Sequence, residues 1–360
     1  MGMKKIVTCV PNFSEGRDKS VVNQIAEAIT SVEDVSLLNV DSGKSTNRTV
    51  MTFIGTPESV VEAAFRAVKR ASSLIDMSKH YGFHSRMGAT DVCPFIPTTG
   101  ITFEECIDLA KKLGERIGRE LEIPVYLYGK AATTSDRVKL ADIRSGEYEA
   151  LPKKMKDPVF KPDYGPVKFN LRSGVIAVGV RDVMLAYNIN LNTRNSKLAR
   201  TIAMNVREFG RAKRDEEGRI VRDPEGKIVQ IPGKLPFCQA SGWYIEEYDC
   251  AQVTMNLLNY RVTGFHHTFE TVKEEAVCLG LQVTGSELVG MTPKQALVEA
   301  GKFYLKKQGI LGNLSEEEII QTAVFFLGLN DKTPFHSDEK IIEYAVERKS
   351  GLTESIHFFS

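Results

Sequence analysis

Long apolar runs are missing from this chain. The N-terminus, MGMKKIVTCV, has no hydrophobic h-region, and no later run is long enough to span a bilayer. A soluble, cytoplasmic protein is expected. Charge of one sign is missing too. With 47 Lys and Arg against 46 Asp and Glu, the formal net charge is +1, which gives no attraction to nucleic acid or an anionic membrane. The six cysteines, Cys9, Cys93, Cys106, Cys238, Cys250 and Cys278, form no CxxC pair. They read as reduced, buried thiols of an intracellular protein. No metal-spaced cluster occurs: His80 and His84 stand four apart, but Gly82 lies between them and the glutamate of HExxH is absent. His266-His267 reads as structural, and Trp243 as core.

What remains is an α/β pattern at a length of 360 residues, enough for two or three domains. In the first half, strands are expected at Lys5–Val10, Val35–Val40, Thr49–Ile54, Val92–Ile96 and Val125–Tyr128. Helices are expected around Val22–Ile29, after Thr56-Pro57, and after the capping box of Thr102 and Glu105. Asn12–Gly16 and Asp41–Arg48 read as polar loops. The proline-rich stretch Tyr148–Arg172 reads as a surface linker between domains. In the second half, strands at Met184–Leu191, Gln239–Ile245, Ala251–Tyr260 and Gln282–Val289 alternate with two helices. A charged hairpin over 211–236 and a helical tail beginning at Thr292-Pro293 complete it. The order strand, helix, strand, strand, helix, strand thus occurs twice. The expected fold is α/β (α+β), two subdomains of split βαβ type with helices on a mixed sheet, plus C-terminal helices. The expected boundaries are 3–172, with the linker at 150–172, and 173–347.

The stretch His80–Pro97, HYGFHSRMGATDVCPFIP, brings His84, Arg86 and Asp91 in a glycine-containing loop up to a buried strand. Such a loop suits proton transfer and anion binding. His80 reads as surface or core. For His84, catalysis and an ordinary structural role stand level on the residues alone. Asp41, Asn47 and Arg48 make the other polar loop a second candidate.

These stretches resemble the glutamate formimidoyltransferase family, including the transferase part of formimidoyltransferase-cyclodeaminase. The matching motifs are CVPNFSEG (Cys9–Gly16), STNRTV (Ser45–Val50), LIDMSKH (Leu74–His80), RMGATDVCPFIP (Arg86–Pro97), PVYLYG (Pro124–Gly129) and GEYEALP (Gly146–Pro152). NINL (Asn188–Leu191), AQVTMNLLNY (Ala251–Tyr260) and VTGSELVG (Val283–Gly290) follow in the second half. The resemblance implies a homodimer that passes a formimidoyl group from N-formimidoyl-L-glutamate to N5 of tetrahydrofolate, the co-substrate, with no metal. It makes His84 the catalytic histidine; from the chemistry of such a transfer, Arg86 and Arg48 are expected to fork substrate carboxylates, and Asp41 to hold the amidinium or orient His84. Arg48, Asn47 and Asn12 are the expected substrate contacts. A folate segment falls on Gly165, Pro166, Val167, Lys168, Phe169, Asn170, Leu171, Arg172, Ser173 and Gly174. No cyclodeaminase domain is expected. The chain departs from the family pattern: Phe83 replaces a glutamate, Ser85 a proline and Thr90 a leucine, the folate segment matches mainly at Gly165-Pro166, Phe169 and Gly174, and the charged hairpin is longer. Phe83 keeps formyl transfer open as an alternative, and non-catalytic folate binding is a third reading.

Overall fold

The computed structural model describes residues 5–310 and 312–350. The chain divides into two compact units. One ends at Asp182 and resumes at Glu343; the other is Val183–Ile342.

The first unit runs β1 (Ile6–Cys9), β2 (Asn12–Phe13), α1 (Lys19–Thr30), β3 (Val35–Gly43), β4 (Arg48–Gly55), α2 (Pro57–Leu74), β5 (Thr90–Thr99), α3 (Phe103–Glu120), β6 (Val125–Gly129), α4 (Leu140–Arg144), α5 (Glu147–Lys154) and β7 (Ile176–Val180). Across the sheet, β3 pairs with β4, β1 and β2 both lie between β4 and β5, and β7 separates β5 from β6. The pairs β5–β7 and β7–β6 are parallel and the others antiparallel, so this sheet is mixed.

Strand side chains alternate between faces. Val7 and Cys9, Met51 and Phe53, Cys93 and Phe95 share one cluster with the buried stripes of α1, α2 and α3, which places those helices on one face. The capping box of Thr102 and Glu105 starts α3 as expected. Thr56 is the N-cap residue of α2 and Pro57 follows it as expected, but the Thr56 hydroxyl donates to Ser59 Oγ and accepts no backbone N–H.

The second unit contains β8 (Leu185–Leu191), α6 (Ser196–Val206), β9 (Arg211–Ala212), β10 (Gln230–Ile231), β11 (Cys238–Ile245), β12 (Cys250–Leu257), α7 (Phe265–Cys278), β13 (Val283–Val289), α8 (Lys294–Lys307), α9 (Glu316–Phe326) and α10 (Ser337–Lys340). Its main sheet has the order β11-β12-β8-β13, antiparallel throughout rather than mixed. Strands β9 and β10 form the base of the charged hairpin. Helix α11 (Ile342–Ser350) carries the chain back to the first unit.

Several expectations need correction. Asn12-Phe13 is strand, pairing on both sides. Strand β3 continues through Gly43, and β4 starts at Arg48, so the polar loop is only 44–47. Tyr148–Arg172 is no linker. It begins in α5 and buries Tyr148, Leu151 and Met155 in the core of the first unit. The units divide after Asp182 and not after Arg172, because β7 completes the first sheet. Five cysteines are buried as expected, but Cys278 is exposed. Trp243 is only half-buried and donates to Gln252 Oε1.

Candidate active site

The loop before β5 lies against the short turn that joins β3 to β4. Phe83 N–H donates to Ser45 O (3.2 Å), and Asn47 Nδ2 donates to Tyr81 O (3.0 Å). Gly82 permits this approach, since a Cβ there would sit 2.2 Å from Thr46 O. The half-buried His84 follows, with Nδ1 2.7 Å from Ser85 O. A carbonyl oxygen can only accept, so Nδ1 carries the proton and Nε2 is the basic nitrogen of the neutral ring.

Beside His84 lies a buried charge cluster. Asp91 is the extra residue of a bulge in β5: Asn12 pairs with Val92 and Phe13 with Thr90, which leaves Asp91 out of register. A bulge re-aims a side chain. Asp91 Oδ1 accepts from Met87 N–H (2.8 Å), and Oδ2 accepts from Arg48 Nη1 (2.7 Å) and Arg144 Nη2 (2.6 Å). Arg48 Nε donates to Asn12 Oδ1 (3.1 Å). Burial would raise the Asp91 carboxyl, but Arg144 and Arg48 outweigh it and bring it to about 2. Burial, then the charges of Arg48 and Arg144, hold the His84 imidazole well below its ordinary 6.5.

Arg86 was expected to meet a substrate carboxylate. Its fork is engaged within the chain instead: Nη1 and Nη2 donate to Glu149, Nη1 also to Glu147, Nη2 also to His80 O, and Nε to His80 Nδ1 (3.2 Å). That bond makes His80 Nδ1 an acceptor, so its Nε2 carries a proton and donates to Asn47 O (3.0 Å). His80 is therefore a neutral spacer between two loops. Asn47, expected at the substrate, ties these loops through Tyr81 O and adds a third, after β2: its Oδ1 accepts from Gly16 N–H (3.0 Å).

Asp41 pairs with Val50, which pairs with Asn12 on its other side. Residues directly opposite one another share a face, so Asp41 lies on the Asn12 and Arg48 side of the sheet. The expected folate segment reaches the site through its end. Ser173 O accepts from Ala89 N–H, Gly174 bridges Gly88, and Tyr148 O–H donates to Leu171 O. Phe169 packs against Tyr148 with ring centroids 5.3 Å apart. Val167 and Leu171 are exposed, and Arg172 donates to the carbonyls of Ser72 and Ser73.

Arg144 and Glu149 were missed from the sequence. Glu149 stands in the matched motif GEYEALP, and Arg144 two residues before it. That position was the available signal. Among the described residues, no group of three or more His, Cys, Asp and Glu is arranged to hold a metal ion, and no helix is long and apolar enough to cross a membrane.

Two family models match the chain in succession: the N-terminal subdomain of the formiminotransferase domain over residues 6–181, and the formiminotransferase domain over 186–347. The formimidoyltransferase-cyclodeaminase of Mus musculus is 48% identical, covering 98% of this chain and 62% of its own length. The chain thus spans less than two thirds of that bifunctional relative. The glutamate formimidoyltransferase of Streptococcus pyogenes serotype M1 is 41% identical over 84% of this chain and 94% of its own. That of Thermoplasma acidophilum is 40% identical over 88% and 98%.

Proposed function

The chain belongs to the formiminotransferase family, and from there we propose that it is a glutamate formimidoyltransferase, a one-carbon transferase that passes the formimidoyl group of N-formimidoyl-L-glutamate to N5 of tetrahydrofolate. The observation that carries this reading is His84, an imidazole kept neutral beside two guanidiniums on an anchored loop. N5 attacks the amidine carbon and a tetrahedral centre forms. The attacking nitrogen gives its proton to His84 Nε2. The bond from that carbon to the glutamate nitrogen then breaks, and the imidazolium returns the proton to the departing nitrogen. One imidazole, accepting the proton in the first step and returning it in the second, serves both.

Arg48 is the guanidinium assigned to a donor carboxylate. Its Nε faces Asn12 and its Nη1 faces Asp91, which leaves Nη2 for that role. Asp41, on the same side of the sheet, is assigned to the amidinium. The 165–174 segment is assigned to folate, through its contact with the loop that follows His84. We read both units as split βαβ repeats, since each four-strand set has its first strand inside, between its third and fourth. A cytoplasmic homodimer is the accompanying assignment; sedimentation at the mass of a single chain would overturn it.

The test is a rate comparison. Purified protein with tetrahydrofolate should turn over N-formimidoyl-glutamate faster than N-formyl-glutamate. The reverse order would support formyl transfer, which Phe83, 62% exposed where the family carries glutamate, keeps in play. Tight folate binding in calorimetry, with turnover of neither donor, would make the protein a binder.

A further inference from the structure

Asp91 Oδ2 is shared by two guanidiniums from different elements, Arg48 on β4 and Arg144 on α4. The Arg48–Asp91 pair would be neutral by itself. Arg144 gives the cluster one positive charge in excess. It does so at a cost, because its Nε is buried without a hydrogen-bond partner. An arginine recruited only to neutralise a carboxylate has no reason to join a pair already matched.

We propose that Arg144 is a positioning residue of the His84 site, which fixes Asp91 jointly with Arg48 and supplies the excess charge that keeps the neighbouring imidazole in its proton-accepting form. The proposal rests on the transferase reading of His84. The charged groups that act on the ring are Arg48 from β4, Arg144 from α4 and Asp91 from β5, with the Ser85 carbonyl beside it. Tyr128 of β6 faces Arg48 and, pushed up to about 12 mainly by burial, stays neutral. Removing Arg144 leaves one cation and one anion near the ring. The imidazolium then meets no net repulsion, and the ring binds its proton more tightly.

The experiment follows the His84 ring by NMR through a pH titration of the full chain, with the signal assigned by its loss in His84→Ala. In Arg144→Gln the midpoint should rise by about one pH unit, a tenfold gain in proton affinity. Arg144→Lys keeps the charge and loses the planar fork. Its midpoint should stay near wild type, while kcat falls by about ten- to hundredfold and KM changes little. An unmoved midpoint in a natively folded Arg144→Gln overturns the proposal. If Arg144→Gln does not fold, Arg144→Lys decides: wild-type kcat in that variant overturns it. The titration needs no substrate, so a failure of the transferase reading appears separately, as wild-type protein that turns over neither donor.

Discussion

Arg86 holds two carboxylates, a backbone carbonyl and an imidazole nitrogen at once, with its side chain 8% exposed. A lysine offers a point charge and cannot reproduce that fork. Arg86→Lys is therefore expected to lower stability by about 1–3 kcal/mol in urea denaturation, with KM for the glutamyl donor nearly unchanged. A tenfold rise in KM at unchanged stability would return Arg86 to the substrate. His84→Ala is the complementary case. It should fold normally, bind folate, and lose about 10²–10⁴ in kcat. Near wild-type turnover would remove His84 as the base. Part of this site was legible in the sequence: His84, Asp91 and Arg48 stand in the two polar stretches singled out there, while Arg144 stands in neither. Their pairing was not. Arg86 meets Glu149 63 positions away and Asp91 meets Arg144 53 positions away, and no local pattern encodes such contacts.

At the scale of elements, regular patterns were read well and irregular ones were not. The short apolar run of β4 and the stripe of α3 are properties of a few neighbouring residues, and both elements stand close to where they were expected. Strand β7, Ile176–Val180, is buried on both faces between parallel neighbours and shows no alternation to read. The stretch after Gly146 misled through its prolines. Pro152 lies within α5, and the apolar residues around it are core. A direct test follows. Leu151→Ala, at a position with no solvent exposure, should cost about 2–5 kcal/mol in equilibrium unfolding. A loss within a few tenths of a kcal/mol would mean that the segment is a connector after all. Because α5 also carries Glu147 and Glu149, the same variant should lower kcat in line with its loss of folded protein, and no further.

The whole chain has two units, and acid acts on each through different groups. In the first unit, His84 is held well below 6.5 by burial and by two guanidiniums, and His80 lies lower mainly through burial. In the second, burial also lowers His266. The unfolded chain takes up protons at these histidines near pH 6.5, where the folded chain does not. Stability is thus full above that value and falls as pH drops toward the folded midpoints. Asp91, brought to about 2 from an ordinary 3.8, adds a later loss below pH 4, in the same direction. A chain of two compact units is expected to unfold in two transitions, to which a single two-state analysis does not apply, so each is followed by itself. Calorimetric scans from pH 7.5 to 5 should show both transitions falling. In His84→Ala the transition of the first unit should fall less steeply, while that of the second keeps its wild-type slope. If the first-unit slope is the same with and without His84, the imidazole is not held neutral in the folded chain, and its proposed role as the base of amidine transfer loses its physical ground.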